Sequence, residues 1–272
     1  MRTRPNYLAG AAALVWLVII GVPLYALVNT AVQPQTTYTD KGPVSIPGTV
    51  TLENFRTVLD SGFLQYIWNT VVVAVATVVI VLALAIPISY AVVRGRGWMT
   101  RGTFRLFLLG LAIPSQAVII PLFLIINNLG FYDTLWGIIL PTAAFALPVS
   151  VLVLSGGMRD ISNELYEAMA LDGASPARTL LTLVVPMSRS AIATTCVFTA
   201  LQAWNGFLFP LIMTQSSDKK LVTLGLYNFV SEYGANVPAL LAAVLLSAVP
   251  ILVVYLFARR ALVAGLMGAG GK

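Results

Sequence analysis

Six long apolar runs alternate with polar segments along this chain: Leu8 to Val28, Ile67 to Val93, Leu106 to Ile126, Leu135 to Leu154, Ala191 to Met213 and Ala239 to Phe257. Each is near the ~20 residues that cross about 30 Å of hydrocarbon as helix. None holds Lys, Arg, Asp or Glu in its interior, as that solvent demands. The pattern predicts an all-α, polytopic membrane protein with six transmembrane helices, forming a single transmembrane domain over residues 1–272. The first run is too long for a removed signal peptide and lacks a clear cleavage site, so it reads as a permanent span.

The polar segments differ in kind. Gln33 to Tyr66 is the longest, with a Gly- and Pro-rich middle from Asp40 to Gly48. Thr51-Leu52-Glu53-Asn54-Phe55 then predicts a short helix capped by Thr51. Asn127 to Thr134 is short. Thr214 to Pro238 carries Ser216-Ser217-Asp218-Lys219-Lys220 and Glu232-Tyr233-Gly234.

Met158 to Arg189 is too short for a domain and too long for a tight turn. Asn163 is placed to cap a short helix, with Glu164 and Glu167 near the positive end of its dipole. Ala168 and Ala170 keep that helix slim. Gly173 is the residue type that ends a helix in a left-handed conformation. Ser175 begins a second helix with Pro176 at its first position. That helix is expected to end or kink near Pro186. Such a helix-turn-helix between two spans reads either as a solvated connector or as a surface held by something outside the bilayer.

Charge orients the chain. With the N-terminus inside, Arg2, Arg4, Arg94, Arg96, Arg101, Arg105, Arg159, Arg178, Arg189, Arg259, Arg260 and Lys272 are cytoplasmic, twelve of the sixteen basic residues. Lys41, Arg56, Lys219 and Lys220 face outside. The bias predicts cytoplasmic termini for a protein of the cell (inner or plasma) membrane. The net charge of +6 then reflects topology and contact with anionic lipid, and gives no argument for nucleic acid. The segment Met158 to Arg189 falls on the cytoplasmic side.

Several chemistries are missing. With no histidine, His metal sites and His relays are excluded within the chain. Cys196 is alone, within the fifth run, so no intrachain disulfide forms. There is no Gly-x-x-x-x-Gly-Lys-Ser/Thr phosphate loop, and no ionisable residue inside a span for a proton relay. No catalytic residue, metal or cofactor is expected in this chain. If the protein pumps, its energy comes from another polypeptide.

Uncharged polar residues within the runs are the candidates for a substrate path. Asn69 and Thr70 open the second run, Ser115 and Gln116 follow Pro114 in the third, and Gln202, Trp204 and Asn205 lie in the fifth. An amide in hydrocarbon is costly without a partner. The alternative role is hydrogen bonding between helices. Trp204 beside Asn205 offers a flat apolar face with an amide, a pairing suited to the CH faces and hydroxyl rims of sugars. Pro87, Pro114, Pro141, Pro148, Pro210 and Pro250 free backbone carbonyls and kink helices, which is useful around a cavity.

One pattern carries a resemblance. Glu167-Ala168-Met169, three residues, Gly173, nine residues, then Leu183-Val184-Val185-Pro186 resembles the EAA loop of ABC importer permeases. The family pattern is Glu-Ala-Ala, three residues, Gly, nine residues, Ile-x-Leu-Pro. Met169, Leu183 and Val185 depart from it and remain apolar. The six runs, the outer Leu52-Glu53-Asn54-Phe55, Trp204-Asn205 with Pro210-Leu211, and the ending Arg259 to Leu266 resemble the smaller, six-span permease of maltose-type carbohydrate importers over nearly the full chain.

The resemblance implies a permease subunit of an ATP-driven importer for a di- or oligosaccharide, forming half of the translocation pathway. It implies coupling to an ATPase through Glu167, Ala168, Met169, Asp172, Gly173, Leu183 and Pro186. The implied partners are a second permease, two ATPase subunits holding ATP and Mg, an extracytoplasmic solute-binding protein and membrane lipid. The glycine-rich tail, Gly265 to Lys272, can reach the ATPase dimer in such proteins, and the larger permease can hold most sugar contacts. Alternatives are an importer for glycerol phosphate, a polyol or a peptide, a stand-alone channel or facilitator, and a membrane scaffold.

Overall fold

In the computed structural model the apolar runs become helices, and two of the six are sharply bent. The structure describes residues 7–46, 48–95, 97–231 and 234–269 and, of residues 231, 254, 255 and 257–269, the backbone alone. Arg2, Arg4, Arg96, Lys272, Glu232, Tyr233 and the last three residues of the glycine-rich tail lie outside the described residues.

The helices in chain order begin with α1 (Tyr7–Ala31), α2 (Gln35–Lys41), α3 (Glu53–Asp60) and α4 (Phe63–Arg94). Next come α5 (Trp98–Gly110), α6 (Ile119–Asn128), α7 (Leu135–Arg159), α8 (Asn163–Leu171) and α9 (Pro176–Thr179). They continue with α10 (Val185–Met187), α11 (Arg189–Trp204), α12 (Leu208–Met213), α13 (Val222–Gly225) and α14 (Val237–Ala269). Two-residue strands β1 (Val230–Ser231) and β2 (Gly234–Ala235) pair antiparallel, with Val230 opposite Ala235.

Among the described residues three helices, α1, α4 and α7, are long and apolar enough to cross a membrane, and up to five spans result if each bent pair counts as one. α14 contributes a shorter apolar stretch, Val237–Val253. The third run turns through 93° between Trp98–Gly110 and Ser115–Asn128. The helix has ended at Gly110, and Pro114, with extended ψ of 132°, precedes a 3₁₀ turn at Ser115–Val118. The fifth run also departs from expectation. Its helix stops at Trp204, and α12 starts only at Leu208.

By contacts the chain divides into two compact units, Met1–Leu64 with Gly225–Pro250, and Gln65–Leu224 with Ile251–Lys272. In the first unit, α1 is apolar on all sides and exposed over most of its length, as a lipid-facing helix is. Its end is tied down by amides. Asn29 Nδ2 donates to the carbonyls of Pro43 and Ser45, at 3.0 and 2.7 Å. Asn54 Nδ2, from α3, donates to Ala31 and Gln33 at 2.9 and 2.7 Å. The long segment after α1 therefore contains α2 as well as the expected short helix, α3. α3 begins at Glu53, and the Thr51 hydroxyl accepts the Glu53 N–H at 3.1 Å while Leu52 occupies the cap position. Phe63 is fully buried and its ring lies 6.2 Å from that of Phe229.

The second unit is built around α7, which buries residues on all sides despite Pro141 and Pro148. α4, α5, α11 and α12 pack on it or on the same core. One cluster joins Val81, Ala85, Ala146, Val151, Leu154, Met158, Tyr166 and Val184. A second joins Val73, Ile126, Ile138, Ile139, Met213 and Leu221. Helix association in lipid depends on close packing of small residues. Gly157 of α7 shows it: a Cβ there would lie 2.6 Å from the Cβ of Ala191 in α11.

Candidate functional site

The segment after α7 is anchored by one side and open on the other. Ser162, with ψ of 144°, takes the cap position of α8, so the cap falls one residue before the expected Asn163. Asn163 is helical, and its Oδ1 accepts a 2.9 Å hydrogen bond from the Arg94 guanidinium at the end of α4. Tyr166, three residues on and therefore on the same face, is 5% exposed and enters the core cluster. The Arg94 guanidinium carbon lies 4.1 Å from the centre of the Tyr166 ring. Burial pushes the Tyr166 phenol above its ordinary pKa, with the Arg94 charge pulling the other way. Its hydroxyl is buried without a hydrogen-bond partner.

α8 ends in a glycine-dependent motif. Gly173 has φ of +70°, its N–H donates to Ala170 at 3.1 Å, and the Ala174 N–H reaches back to Met169 at 3.0 Å. That pair of bonds is a Schellman closure, and it needs the left-handed conformation that glycine adopts freely. Ser175 then caps α9, its Oγ accepting the Arg178 N–H at 3.2 Å, with Pro176 at the first helical position. After α9 the helix widens into a π turn, Leu180–Val184. The bend of 79° falls between Met187 and Arg189, two residues past Pro186.

The candidate coupling residues divide accordingly. Glu167, Ala168, Asp172 and Gly173 are exposed, as is Pro186. Met169 and Leu183 are half-buried against their own chain. Leu171 is 90% exposed on the same helix, a large apolar side chain at its end.

The candidate path residues fall at helix ends. Asn69 is buried and fully engaged: its Nδ2 donates to the carbonyls of Asp218 and Lys220, at 2.8 and 3.0 Å, and its Oδ1 accepts from Gln65 at 2.9 Å. Thr70 beside it accepts the Val222 N–H at 2.9 Å. Ser115 and Gln116 form the first turn after the Pro114 break, with Ser115 Oγ donating to Gln116 Oε1 at 3.3 Å. Trp204 is buried at the last position of α11, whereas Gln202 and Asn205 are exposed. Asn205 leaves the helix, its Nδ2 donating back to Leu201 at 2.9 Å, and Thr223 holds the opened Gly206 carbonyl at 2.7 Å. Gln116 and Asn205 therefore each stand at a broken helix, where backbone polar groups gather.

A family described as "Binding-protein-dependent transport system inner membrane component" matches residues 84–263. The chain belongs to this family. Relatives of this inner membrane component resemble it over nearly their full lengths. The diacetylchitobiose uptake system permease protein NgcG of Streptomyces coelicolor is 31% identical over 264 residues, covering 96% of this chain and 86% of its own. The trehalose transport system permease protein SugB of Mycobacterium tuberculosis is 30% identical over 254 residues, 92% of each chain. The fold matches a chain in the crystal structure of a bacterial ABC transporter involved in the import of alginate, with a TM-score of 0.80, 19% identity, and 96% and 98% of the two chains covered. It also matches a chain of an inward-facing methionine ABC transporter, with a TM-score of 0.62, 14% identity, and coverage of 75% and 95%. The family member described here is thus a predominantly helical, multi-pass membrane component of a transport system.

Arg94 was legible only as a topological charge; its two contacts with α8 lie 69 and 72 positions downstream. The one local hint was the spacing of Asn163 and Tyr166, which puts an amide and a ring on one helical face.

Proposed function

We propose that this chain is the permease subunit of an ATP-driven carbohydrate importer, one half of a translocation pathway shared with a second permease. The observation that carries the reading is α8 itself. It is closed by a left-handed Gly173, fixed by Tyr166 on its inner side, and presents Glu167, Ala168 and Asp172 outward in a member of a binding-protein-dependent transport family. ATP and Mg bind and react in two ATPase subunits, and α8 carries their motion into the membrane. The relatives' names favour a di- or oligosaccharide as solute. An extracytoplasmic binding protein delivers it, and both termini face the cytoplasm. The whole chain then acts as one membrane domain.

The test has two parts. Tagged chain extracted from its own membrane is expected to bring down an ATPase and a second permease. Vesicles holding that complex and the binding protein are expected to take up labelled diacetylchitobiose or trehalose only with ATP inside. Uptake of a polyol, glycerol phosphate or peptide instead would move the solute class, and ATP-independent flux would make the chain a channel. In a Cys196→Ser background, Ser217→Cys should react with an impermeant maleimide in intact cells and Ser175→Cys only after permeabilisation.

A further inference from the structure

Resting on that reading of α8, we infer that Arg94 is the positioning residue that ties α8 to α4, so that a displacement of one helix is passed to the other. The geometry is specific. Arg94 is the last residue of α4, an apolar helix of 32 residues. From that end a single guanidinium makes two contacts with α8: its Nη1 donates to Asn163 at 2.9 Å, and its Cζ lies over the Tyr166 ring, 4.1 Å from the centroid. A guanidinium does both at once because its donors lie in its plane while its face meets the aromatic ring; an ammonium is a point charge and keeps one such contact at a time.

The other side of the joint is stiff. Tyr166 is buried among Leu154, Met158 and Val184, so its ring cannot move independently of the core. Its hydroxyl has no partner, so the ring and not the phenol makes the contact. Glu167 and Ala168, the next two residues, are exposed on the outward side of the same turn. A push on that outer face is transmitted through Tyr166 to Arg94, and through Arg94 to the end of α4.

The test uses the assembled complex in a Cys196→Ser background, with Trp68→Cys as reporter. Trp68 lies near the opposite end of α4 and is 62% exposed. The measured quantity is the change in maleimide reaction rate at residue 68 when the ATPase is trapped with ATP and vanadate. Arg94→Lys and Tyr166→Leu should each shrink that change by about fivefold or more while the ATPase still co-purifies. Tyr166→Phe keeps the ring and should respond as the parent does. The double variant Arg94→Lys/Tyr166→Leu should be no worse than either single one, because the two residues form one contact. Parent-like responses in both single variants, or losses that add, would overturn the inference while leaving the importer reading intact. Absence of any response in the parent, with no ATPase bound, would remove the importer reading and this inference with it.

Discussion

Ser216 Oγ donates a 2.5 Å hydrogen bond to Asp133 Oδ2, joining two connectors 83 residues apart. The other carboxylate oxygen accepts the amides of Gln215 and Ser216, each at 2.9 Å, and the Asp133 N–H donates to Met213 at 2.9 Å. Asp133 adopts φ of +56° to reach this position, a conformation that Asp and Asn tolerate better than most. The side-chain bond from Ser216, then the two backbone bonds, hold the carboxyl below its usual pKa.

The sign of that shift fixes the pH dependence. A depressed folded pKa means the stabilisation is present at and above the ordinary aspartate value of about 3.9 and is lost as pH falls below it. Amide exchange at Gln215 and Ser216, corrected for intrinsic rate, should be flat between about pH 5 and 8 and rise only in stronger acid. Asp133→Asn keeps the backbone conformation but removes the charge, and should raise exchange at both amides by about tenfold at neutral pH. Unchanged exchange in that variant would make the three bonds incidental.

Gly157 and Ala191 set the approach of α7 and α11. Gly157→Val places methyl groups where a Cβ alone is 2.6 Å from Ala191. The expected cost is about 1–3 kcal/mol from overpacking, read as a lower thermal midpoint in detergent. Gly157→Ala should be milder, and Gly157→Ala/Ala191→Gly should recover most of the loss. Failure of that rescue would locate the cost elsewhere.

Gly173 has no atom within 4 Å of an added Cβ, so substitution there tests conformation without steric conflict. Gly173→Val should cost roughly 1–2 kcal/mol at the left-handed position. The chain should still insert, while ATP-driven uptake in vesicles is lost. Gly173→Asn should retain partial coupling, since Asn adopts this conformation more readily. Full uptake in the Val variant would return the segment to a plain connector.

Asn205 is exposed at the broken end of α11, whereas Trp204 beside it is buried. Asn205→Leu should lower uptake while the complex assembles normally. Trp204→Ala should act chiefly through stability, by about 3–5 kcal/mol. Unaltered uptake kinetics in Asn205→Leu would assign that amide to closing the helix, through its bond to Leu201.

Much of the fold was readable because lipid imposes uniform apolar length. The runs Ile67 to Val93 and Leu135 to Leu154 correspond to α4 and α7 with ends shifted by a few residues. The helix-turn-helix was legible for a different reason: Gly173, Ser175 and Pro176 act on their own backbone, and local chemistry needs no distant partner. The breaks were not legible. Pro87, Pro141, Pro148 and Pro250 lie inside helices, while Pro114 lies in the break between two, so the residue type alone does not decide. The hydrogen-bond partners of Asn69 and Asn163, which are Asp218, Lys220 and Arg94, lie far away in sequence, and no local pattern points to them.

The length of α4 has a mechanical meaning. Asn69 grips the loop carbonyls of Asp218 and Lys220 near one end, and Arg94 closes on α8 at the other. Those grips are separated by about 37 Å of helix at 1.5 Å per residue, more than the thickness of the hydrocarbon. A helix gripped near both ends works as a lever: a tilt of roughly 5° about one grip swings the other by roughly 3 Å. Movement that small on one surface of the membrane then becomes the making or breaking of hydrogen bonds on the opposite surface, with no signal relayed residue by residue through the apolar interior.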